Sequence, residues 1–295
     1  MEYYGNVFRP PSEAYSLILQ ATIGCSHNKC TYCNMYRGEK FIIRKKADLY
    51  KDIAEVAFYN PNIKKVFLAD GDALMIKTED LSEILDKLYE TFPKLNHVGI
   101  YASPKSVLIK TPQELKLLKS KGLTIAYLGV ETGSDKVLKD VNKGVGSVEM
   151  TKSAIMLKQA GITLSIMILI GIGGREDSAE HIRGTVELIN NVSPDYLSFL
   201  TLMIPEDTEL YKKVIRGEFT PLDPFEGIYE IRNIMAGLEV KNKVIVRSNH
   251  ASNYINLRGS LPEDKKAMLS ALDEALNHRD SYESVIAYKN LHRGF

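Results

Sequence analysis

Cysteine is scarce in this sequence, with three residues in a chain of 295. Cys25, Cys30 and Cys33 all lie within nine positions. An odd number of closely spaced cysteines is a poor framework for disulfide bonds, whereas the same spacing suits a set of metal ligands. We therefore expect these three residues to form a functional site.

Other features are also missing. The formal net charge is only +1, so charge gives no case for nucleic acid or an anionic membrane surface as a partner. The longest mostly apolar run, 162–172, is too short to cross a bilayer. The first residues lack the basic patch, apolar run and cleavage site of a signal peptide. We therefore expect a cytoplasmic protein with no membrane partner.

Apolar runs of strand length alternate with helix-period segments over 16–201. The clearest junction is a capping box from Thr111 to Glu114, which predicts a helix that runs to Lys121 and stops at Gly122. A similar signature, Ser260 to Glu263, predicts the start of a final helix. Strands are predicted near 16–22, 64–70, 97–102, 123–130, 162–170 and 195–202, each but the last clearly followed by a helix.

This alternation predicts an α/β fold with a parallel sheet and helices outside it. Closing such a sheet gives a barrel or a partial barrel, and a doubly wound sheet is the competing architecture. In both folds the active site lies at the carboxyl ends of the strands. The cysteines follow the first predicted strand.

Two kinds of metal site fit the cysteine loop. A cubane iron–sulfur cluster normally has four cysteine ligands, so three thiolates leave one iron open to bind something else. A zinc site made of the three cysteines and His27 is the alternative, because zinc accepts tetrahedral Cys3His ligation. The ligand types leave both possibilities open.

At these residues the sequence resembles the radical S-adenosylmethionine (SAM) superfamily. Its usual signature is C-x3-C-x2-C with an aromatic residue before the last cysteine. Here the first gap has one more residue, C-x4-C-x2-C, and Tyr32 is the aromatic residue. The resemblance implies a [4Fe–4S] cluster on the three cysteines, with SAM at the open iron and in contact with Tyr32.

The resemblance also implies the architecture, a partial (β/α)6 TIM-like barrel of the radical SAM type with a C-terminal extension. We accordingly divide the chain into an N-terminal segment (1–15), a core barrel (16–205) and a C-terminal region that covers the barrel on the substrate side (206–295).

Two segments resemble the family's contacts to the amino acid and ribose parts of SAM. Asp70-Gly71-Asp72 follows the second strand in place of the family's Gly-Gly-Glu, whose backbone receives the ammonium group. Glu131 lies in a Gly-Val-Glu-Thr-Gly segment similar to one in the Elongator-type and HemN-like branches, where the glutamate lies close to SAM. The alternatives are an ordinary Asp-Gly turn and a carboxylate at a helix N-terminus.

Two further contacts are predicted. Ile170, Gly171 and Ile172 resemble the family's segment that packs against adenine, although a glycine-rich loop of this kind also suits a phosphate. Ser103, after the third strand, is a polar candidate for SAM and equally an ordinary turn residue before proline.

The resemblance implies reductive cleavage of SAM to a 5′-deoxyadenosyl radical that acts on an unidentified substrate, a small molecule or another class. An electron donor such as flavodoxin or ferredoxin is then required. Within this class, a HemN-like oxidative decarboxylase of a tetrapyrrole competes with an enzyme that modifies RNA or a peptide. The alternative of another class is a zinc-stabilised binding protein without a redox role.

Two stretches outside these motifs, 9–14 and 246–254, also contain residue types that are common in functional sites. In the second, Arg247 lies near the end of a strand predicted near 241–248, and His250 and Asn253 follow it. They either bind substrate or the SAM carboxylate, or they form a hydrogen-bonded loop that closes the barrel.

Overall fold

A computed structural model describes residues 1–292 of the chain. Their contacts divide the chain into two compact units. The first comprises Met1–Asn28, Cys33–Leu128 and Lys152–Leu164. The second comprises Lys29–Tyr32, Gly129–Thr151 and the chain from Ser165 onward. The predicted division at 15 and 205 stays a prediction.

Every predicted strand has a counterpart in the structure, within a few residues of its predicted ends. The structure adds strands that the sequence pattern did not predict, among them a short pair around the cysteines. The strands are β1 Leu17–Gln20, β2 Thr22–Ile23, β3 Ile42–Ile43, β4 Lys65–Ala69, β5 His97–Ala102, β6 Ile125–Glu131, β7 Thr163–Ile170, β8 Tyr196–Thr201, β9 Val244–Arg247 and β10 Arg258–Leu261.

Helices separate most of these strands, as the alternating pattern predicts. They are α1 Lys46–Tyr59, α2 Thr78–Thr91, α3 Pro104–Leu108, α4 Pro112–Ser120, α5 Asp135–Asp140, α6 Ser147–Gln159, α7 Ser178–Val192, α8 Glu209–Ile215, α9 Pro224–Gly237, α10 Lys265–Asn277 and α11 Arg279–His292.

In the first unit, β1, β4, β5 and β6 pair in parallel in that order. One row across them consists of Leu19, Leu68, Ile100 and Ala126, and every member is fully buried. Burial of this kind is expected for parallel strands that are covered on both faces. Separately, β2 and β3 form an antiparallel pair on either side of the loop that carries the cysteines.

In the second unit, β7, β8 and β9 pair in parallel, and β10 is antiparallel to β9. Ile166, Leu197 and Val246 lie in one row and are fully buried. The carboxyl end of β8 is extended by a hydrogen bond from the Leu202 amide to the Ile170 carbonyl, 2.9 Å. β7 and β8 therefore end together at the segment predicted to contact adenine.

The capping box at Thr111 is confirmed. The Thr111 side chain accepts from the Glu114 amide, and the Glu114 carboxylate accepts from the Thr111 amide at 2.7 Å. After α4 ends, Gly122 adopts a φ of +101°, a left-handed conformation that glycine adopts readily. Local sequence signals fix both ends of this helix.

The helix start predicted at Ser260 is wrong. Ser260 and Leu261 belong to β10, paired with Ile245 and Val244 of β9. The helix begins five residues later, at Lys265. The backbone of Ser260 is paired with β9, so Ser260 does not cap a helix.

The stretch 9–14 has a structural role through Glu13, which is 1% exposed. Its carboxylate accepts from the hydroxyls of Tyr127 and Ser16, each at 2.5 Å, and lies 2.8 Å from Nε2 of His97. Burial raises the pKa of Glu13, but these hydrogen bonds together bring that pKa below its usual value. Glu13 thereby attaches the N-terminal segment to β5 and β6.

Among residues 1–292, the helices are all too short or too polar to cross a membrane.

Candidate functional site

The cysteines lie on the loop between β2 and β3, and each thiol is half-buried. Cys25 and Cys33 belong to the first unit, and Cys30 belongs to the second. Within residues 1–292, the structure contains no group of three His, Cys, Asp or Glu side chains arranged to hold a single metal ion.

Asp70, directly after β4, holds the beginning of the cysteine loop. Its Oδ2 accepts from Gln20 Nε2 at 2.9 Å and from the Gly24 amide at 3.1 Å, and its Oδ1 accepts from the Tyr36 hydroxyl at 3.4 Å. Burial raises the pKa of Asp70, although the three hydrogen bonds oppose this rise. The carboxylate thus fixes the residue that precedes Cys25.

Gly71 leaves the space that Cys25 occupies. A Cβ atom on Gly71 would lie 2.8 Å from Cys25 Cβ and 2.8 Å from Cε2 of Tyr36. Both distances are shorter than any normal contact between carbon atoms. The loop can therefore approach β4 this closely only because residue 71 has no side chain.

Asp72 joins the cysteine loop to the end of β5. Its Oδ2 accepts from the hydroxyls of Ser26 at 2.5 Å and Ser103 at 2.6 Å, while its Oδ1 accepts from the Ser103 amide at 3.1 Å. Ser103 also forms a capping box with Ser106 at the start of α3. Asp72 and Ser103, both predicted site residues, are therefore in direct contact.

In the second unit, hydrogen bonds fix the backbone around Cys30. The Thr31 amide donates to the Val141 carbonyl at 2.9 Å, and the Leu210 amide donates to the Thr31 carbonyl at 2.9 Å. Asn142 Nδ2 donates to the Lys29 carbonyl at 3.0 Å. Segments more than 100 residues apart in sequence thus hold this part of the loop.

Glu131 ends β6 with a φ of +66°, which is uncommon for a residue with a side chain. Its Oε1 lies 3.0 Å from Lys143 Nζ, and both side chains are largely buried. A Cβ on Gly129 would lie 2.7 Å from the same oxygen, so a side chain there would displace the carboxylate from this position.

The pair also influences Cys30. Burial raises the pKa of the Cys30 thiol, Lys143 lowers it, and Glu131 raises it. The net result is a raised pKa, so burial outweighs the cation. Glu131, Lys143 and Cys30 therefore share one electrostatic environment.

Tyr32 and Ile172, two residues predicted to contact SAM, lie in one apolar region of the second unit. Tyr32 is partly buried and packs against a cluster of buried residues that includes Ile172. Next to it, Ile170 is fully buried and Gly171 has a φ of +82°. The other buried members of the cluster are Val137, Val141 and Leu169.

The polar residues after β9 form hydrogen bonds within their own loop and with β8. Asn253 is fully buried, donates to the Phe199 carbonyl at 2.6 Å and accepts from the Thr201 hydroxyl at 2.9 Å. His250 Nδ1 accepts from the Ser252 amide at 3.1 Å, and burial lowers the pKa of His250. These contacts favour the loop interpretation for Asn253.

Sequence reasoning did not assign several residues that hold the site. Lys143 lies in the Asn-Lys-Gly triplet after the Glu131 segment. This place in the sequence was the only feature that could have pointed to a role for Lys143 in the site. Ser26 and Tyr36 had none, because their partners Asp72 and Asp70 lie 46 and 34 residues away.

Known proteins resemble this chain in sequence. The heme chaperone HemW of Buchnera aphidicola is 23% identical over 198 residues, which cover 64% of this chain and 51% of that protein. HemW of Bacillus subtilis is 21% identical over 228 residues, which cover 73% and 58%. The matched part of this chain therefore spans little more than half the length of these two relatives.

Solved structures resemble it in fold. The cobalamin-dependent SAM radical enzyme OxsB has a TM-score of 0.56 at 16% identity, over 75% of this chain and 41% of that one. Coproporphyrinogen III oxidase HemN from Escherichia coli has a TM-score of 0.55 at 16% identity, over 75% and 51%. These similarities confirm the predicted fold class, the α/β fold of radical SAM enzymes.

A family model described as the Radical SAM superfamily matches residues 19–189. The match covers more than half of the 295 residues. The chain therefore belongs to the radical SAM superfamily, whose enzymes use a [4Fe–4S] cluster and S-adenosylmethionine.

Proposed function

We propose that this chain cleaves SAM reductively at a [4Fe–4S] cluster held by Cys25, Cys30 and Cys33. The observation that carries the proposal is the presence of three thiols within nine residues of one loop. When bound, the reduced cluster supplies one electron to SAM, which gives methionine and a 5′-deoxyadenosyl radical. The radical then abstracts hydrogen from a substrate that is not identified.

The residues around the loop fit a cluster of this kind. Three thiolates satisfy three corners of a cubane and leave the fourth iron for another ligand. Cys25 fits close to Gly71 because glycine has no side chain, and Asp70 holds Gly24, the residue before Cys25. The ligand set and its support are therefore consistent with a cluster.

For the amino acid part of SAM, we propose contacts from the segment Asp70-Gly71-Asp72 and from Ser103. The carboxylates of Asp70 and Asp72 already accept hydrogen bonds within the protein, so we assign the ammonium contact to the backbone carbonyls of the segment. The two side chains then position the loop and the segment, and their negative charge favours the ammonium group.

For the nucleoside part, we propose that Glu131 accepts hydrogen bonds from the ribose hydroxyls or from the ammonium group. Lys143, 3.0 Å away, orients its carboxylate. Adenine packs against the apolar region that contains Tyr32 and the segment from Ile170 to Ile172. Tyr32 is only partly buried against this region and so leaves apolar surface for a flat ring.

The substrate class is a separate proposal. A tetrapyrrole is favoured by the similarity to proteins named heme chaperones, while RNA or a peptide is the competing class. The net charge of +1 does not favour RNA. A comparison of tetrapyrroles, RNA and peptides from cells with and without the gene distinguishes the classes, because loss of the enzyme would cause either an unprocessed tetrapyrrole or an unmodified RNA or peptide to accumulate.

The proposed reaction predicts a specific product. Protein reconstituted without oxygen, reduced with dithionite and given SAM is expected to form 5′-deoxyadenosine and methionine in roughly equal amounts, because one bond of SAM yields both. Flavodoxin or ferredoxin should replace dithionite as the electron donor. Liquid chromatography measures both products, and the same sample without a reductant is the control. Iron-loaded, reduced protein that leaves SAM intact would overturn the proposal.

A further inference from the structure

A glutamate far along the chain holds the segment that we assign to adenine. Glu230 on α9 is fully buried, and its Oε2 accepts from the Gly171 amide at 2.6 Å. Its Oε1 accepts from the Ser178 hydroxyl at 2.6 Å, at the start of α7. One carboxylate therefore joins the end of β7 to two helices.

Gly171 is the residue at which the segment turns. Its φ of +82° lies in the left-handed region, and its carbonyl accepts from the Gly174 amide at 3.0 Å. A Cβ on Gly171 would meet Leu222 at 3.8 Å, an ordinary contact, so the left-handed φ and not a lack of space favours glycine here. The amide of Gly171 is thus the point at which the turn is attached to α9.

The environment of Glu230 contains few compensating charges. His181 on α7 is fully buried, its Nε2 lies 3.6 Å from Glu230 Oε2, and within the described residues neither ring nitrogen has a hydrogen-bond partner. Burial lowers the pKa of His181 to about 3, so this imidazole is neutral near pH 7. Burial also raises the pKa of Glu230 to about 7.

Other charged groups on the neighbouring elements pair with one another at the surface. On α9, Glu226 pairs with Arg175 from the loop after Gly171, and Arg232 pairs with Asp273 of α10. The Glu230 carboxylate is therefore stabilised chiefly by the hydrogen bonds from Gly171 and Ser178.

We propose that Glu230 is a positioning residue that fixes the Ile170–Gly171–Ile172 turn in the conformation that receives the adenine of SAM. The proposal rests on the proposed function, which assigns this turn to adenine. It goes further by making SAM affinity depend on a residue 59 positions away that has no assigned contact with the cofactor.

The proposal has a pH signature. A carboxylate accepts from an amide more strongly than a carboxylic acid does. Lowering the pH from about 8 to about 6 protonates Glu230 because its pKa is raised, and the turn loses its strong acceptor. We expect SAM affinity to fall over this range. Glu230→Gln keeps an amide oxygen as acceptor but has no proton to gain, so this part of the pH dependence should disappear.

The test uses the reconstituted full chain and three variants. Glu230→Leu removes the acceptor, Glu230→Gln retains a neutral acceptor, and Glu187→Gln on the exposed face of α7 is the control for loss of one negative charge. The dissociation constant for SAM is measured at both pH values. Hydrogen exchange of the Gly171 amide is measured in the absence of SAM.

Glu230→Leu should weaken SAM binding about tenfold at the higher pH and remove protection of the Gly171 amide, as expected when a charged hydrogen bond is lost. At that pH Glu230→Gln should bind more weakly than the wild type but more tightly than Glu230→Leu, since its neutral amide oxygen still accepts. At the lower pH it should match the wild type, whose Glu230 is then also a neutral acceptor. The control should match the wild type in both measurements.

Iron-loaded Glu230→Leu that binds SAM as tightly as the wild type would overturn the proposal. If that variant does not fold, the pH profile decides, and Glu230→Gln with the wild-type pH dependence would overturn it equally. Wild-type protein that carries no cluster and cleaves no SAM would instead contradict the proposed function. The exchange of the Gly171 amide does not depend on SAM cleavage, so the two failures can be told apart.

Discussion

Cys30→Ala is expected to lower 5′-deoxyadenosine formation by at least about a hundredfold, because two remaining thiolates do not retain a cubane with an open iron. The Cys30 backbone lies in a segment that is held by hydrogen bonds through Thr31 and Lys29, so the substitution should leave the fold intact. The measurement is product formation together with iron content, and circular dichroism verifies the fold.

His27→Ala is the matched control on the same loop. The Cys3His zinc alternative requires His27 as the fourth ligand, whereas a three-cysteine cluster does not. We therefore expect His27→Ala to retain iron and to form product at a rate within about twofold of the wild type. Normal product formation by Cys30→Ala would count against the ligand assignment, and loss of metal from His27→Ala would favour zinc.

Gly71→Ala is expected to have the second largest effect. The added methyl would lie 2.8 Å from both Cys25 Cβ and Tyr36, so the cysteine loop has to move away from β4. Overpacking of this kind costs about 1–3 kcal/mol. A displaced ligand should also reduce 5′-deoxyadenosine formation by at least about tenfold, since small errors of position are costly at a reacting centre.

Gly227→Ala is the control for this substitution. Gly227 lies on α9, and a Cβ there would meet Ile170 at 3.6 Å, an ordinary contact. Thermal unfolding and product formation are measured for both variants. Gly71→Ala that matches Gly227→Ala in iron content and product formation would show that the loop does not need this close approach.

Much of the fold could be predicted from the sequence because its signals are local. The helix α4 has its start signal at Thr111 and its stop signal at Gly122 within about a dozen residues. The strands β5 and β7 are mostly apolar runs, and their predicted positions agree with the structure. These elements depend on backbone propensity and burial more than on distant partners.

Other elements could not be predicted, because distant contacts determine them. Ser260 and Glu263 have the spacing of a capping box, yet Ser260 is paired with Ile245 of β9. The pairing satisfies the backbone in a way that a local signature does not reveal. Similarly, the short pair β2 and β3 forms across the cysteine loop with two residues on each side, too few for a periodic signal.

The candidate site shows the same division. The cysteines, Tyr32 and Glu131 were identified from motifs whose residues are close in sequence. Glu230 and Ser26, which support the site, were not identified, because each acts across a long separation. Glu230 accepts from Gly171 over 59 residues, and Ser26 donates to Asp72 over 46. A single sequence contains no periodicity or spacing that connects such pairs.

The central claim is that Cys25, Cys30 and Cys33 hold an iron–sulfur cluster. Iron and sulfide analysis of the chain after anaerobic reconstitution, with its visible spectrum, tests this claim most directly. We predict about four irons and about four sulfides per chain and a brown colour with absorption at roughly 400 nm. A colourless chain that holds zinc and takes up neither iron nor sulfide would contradict it.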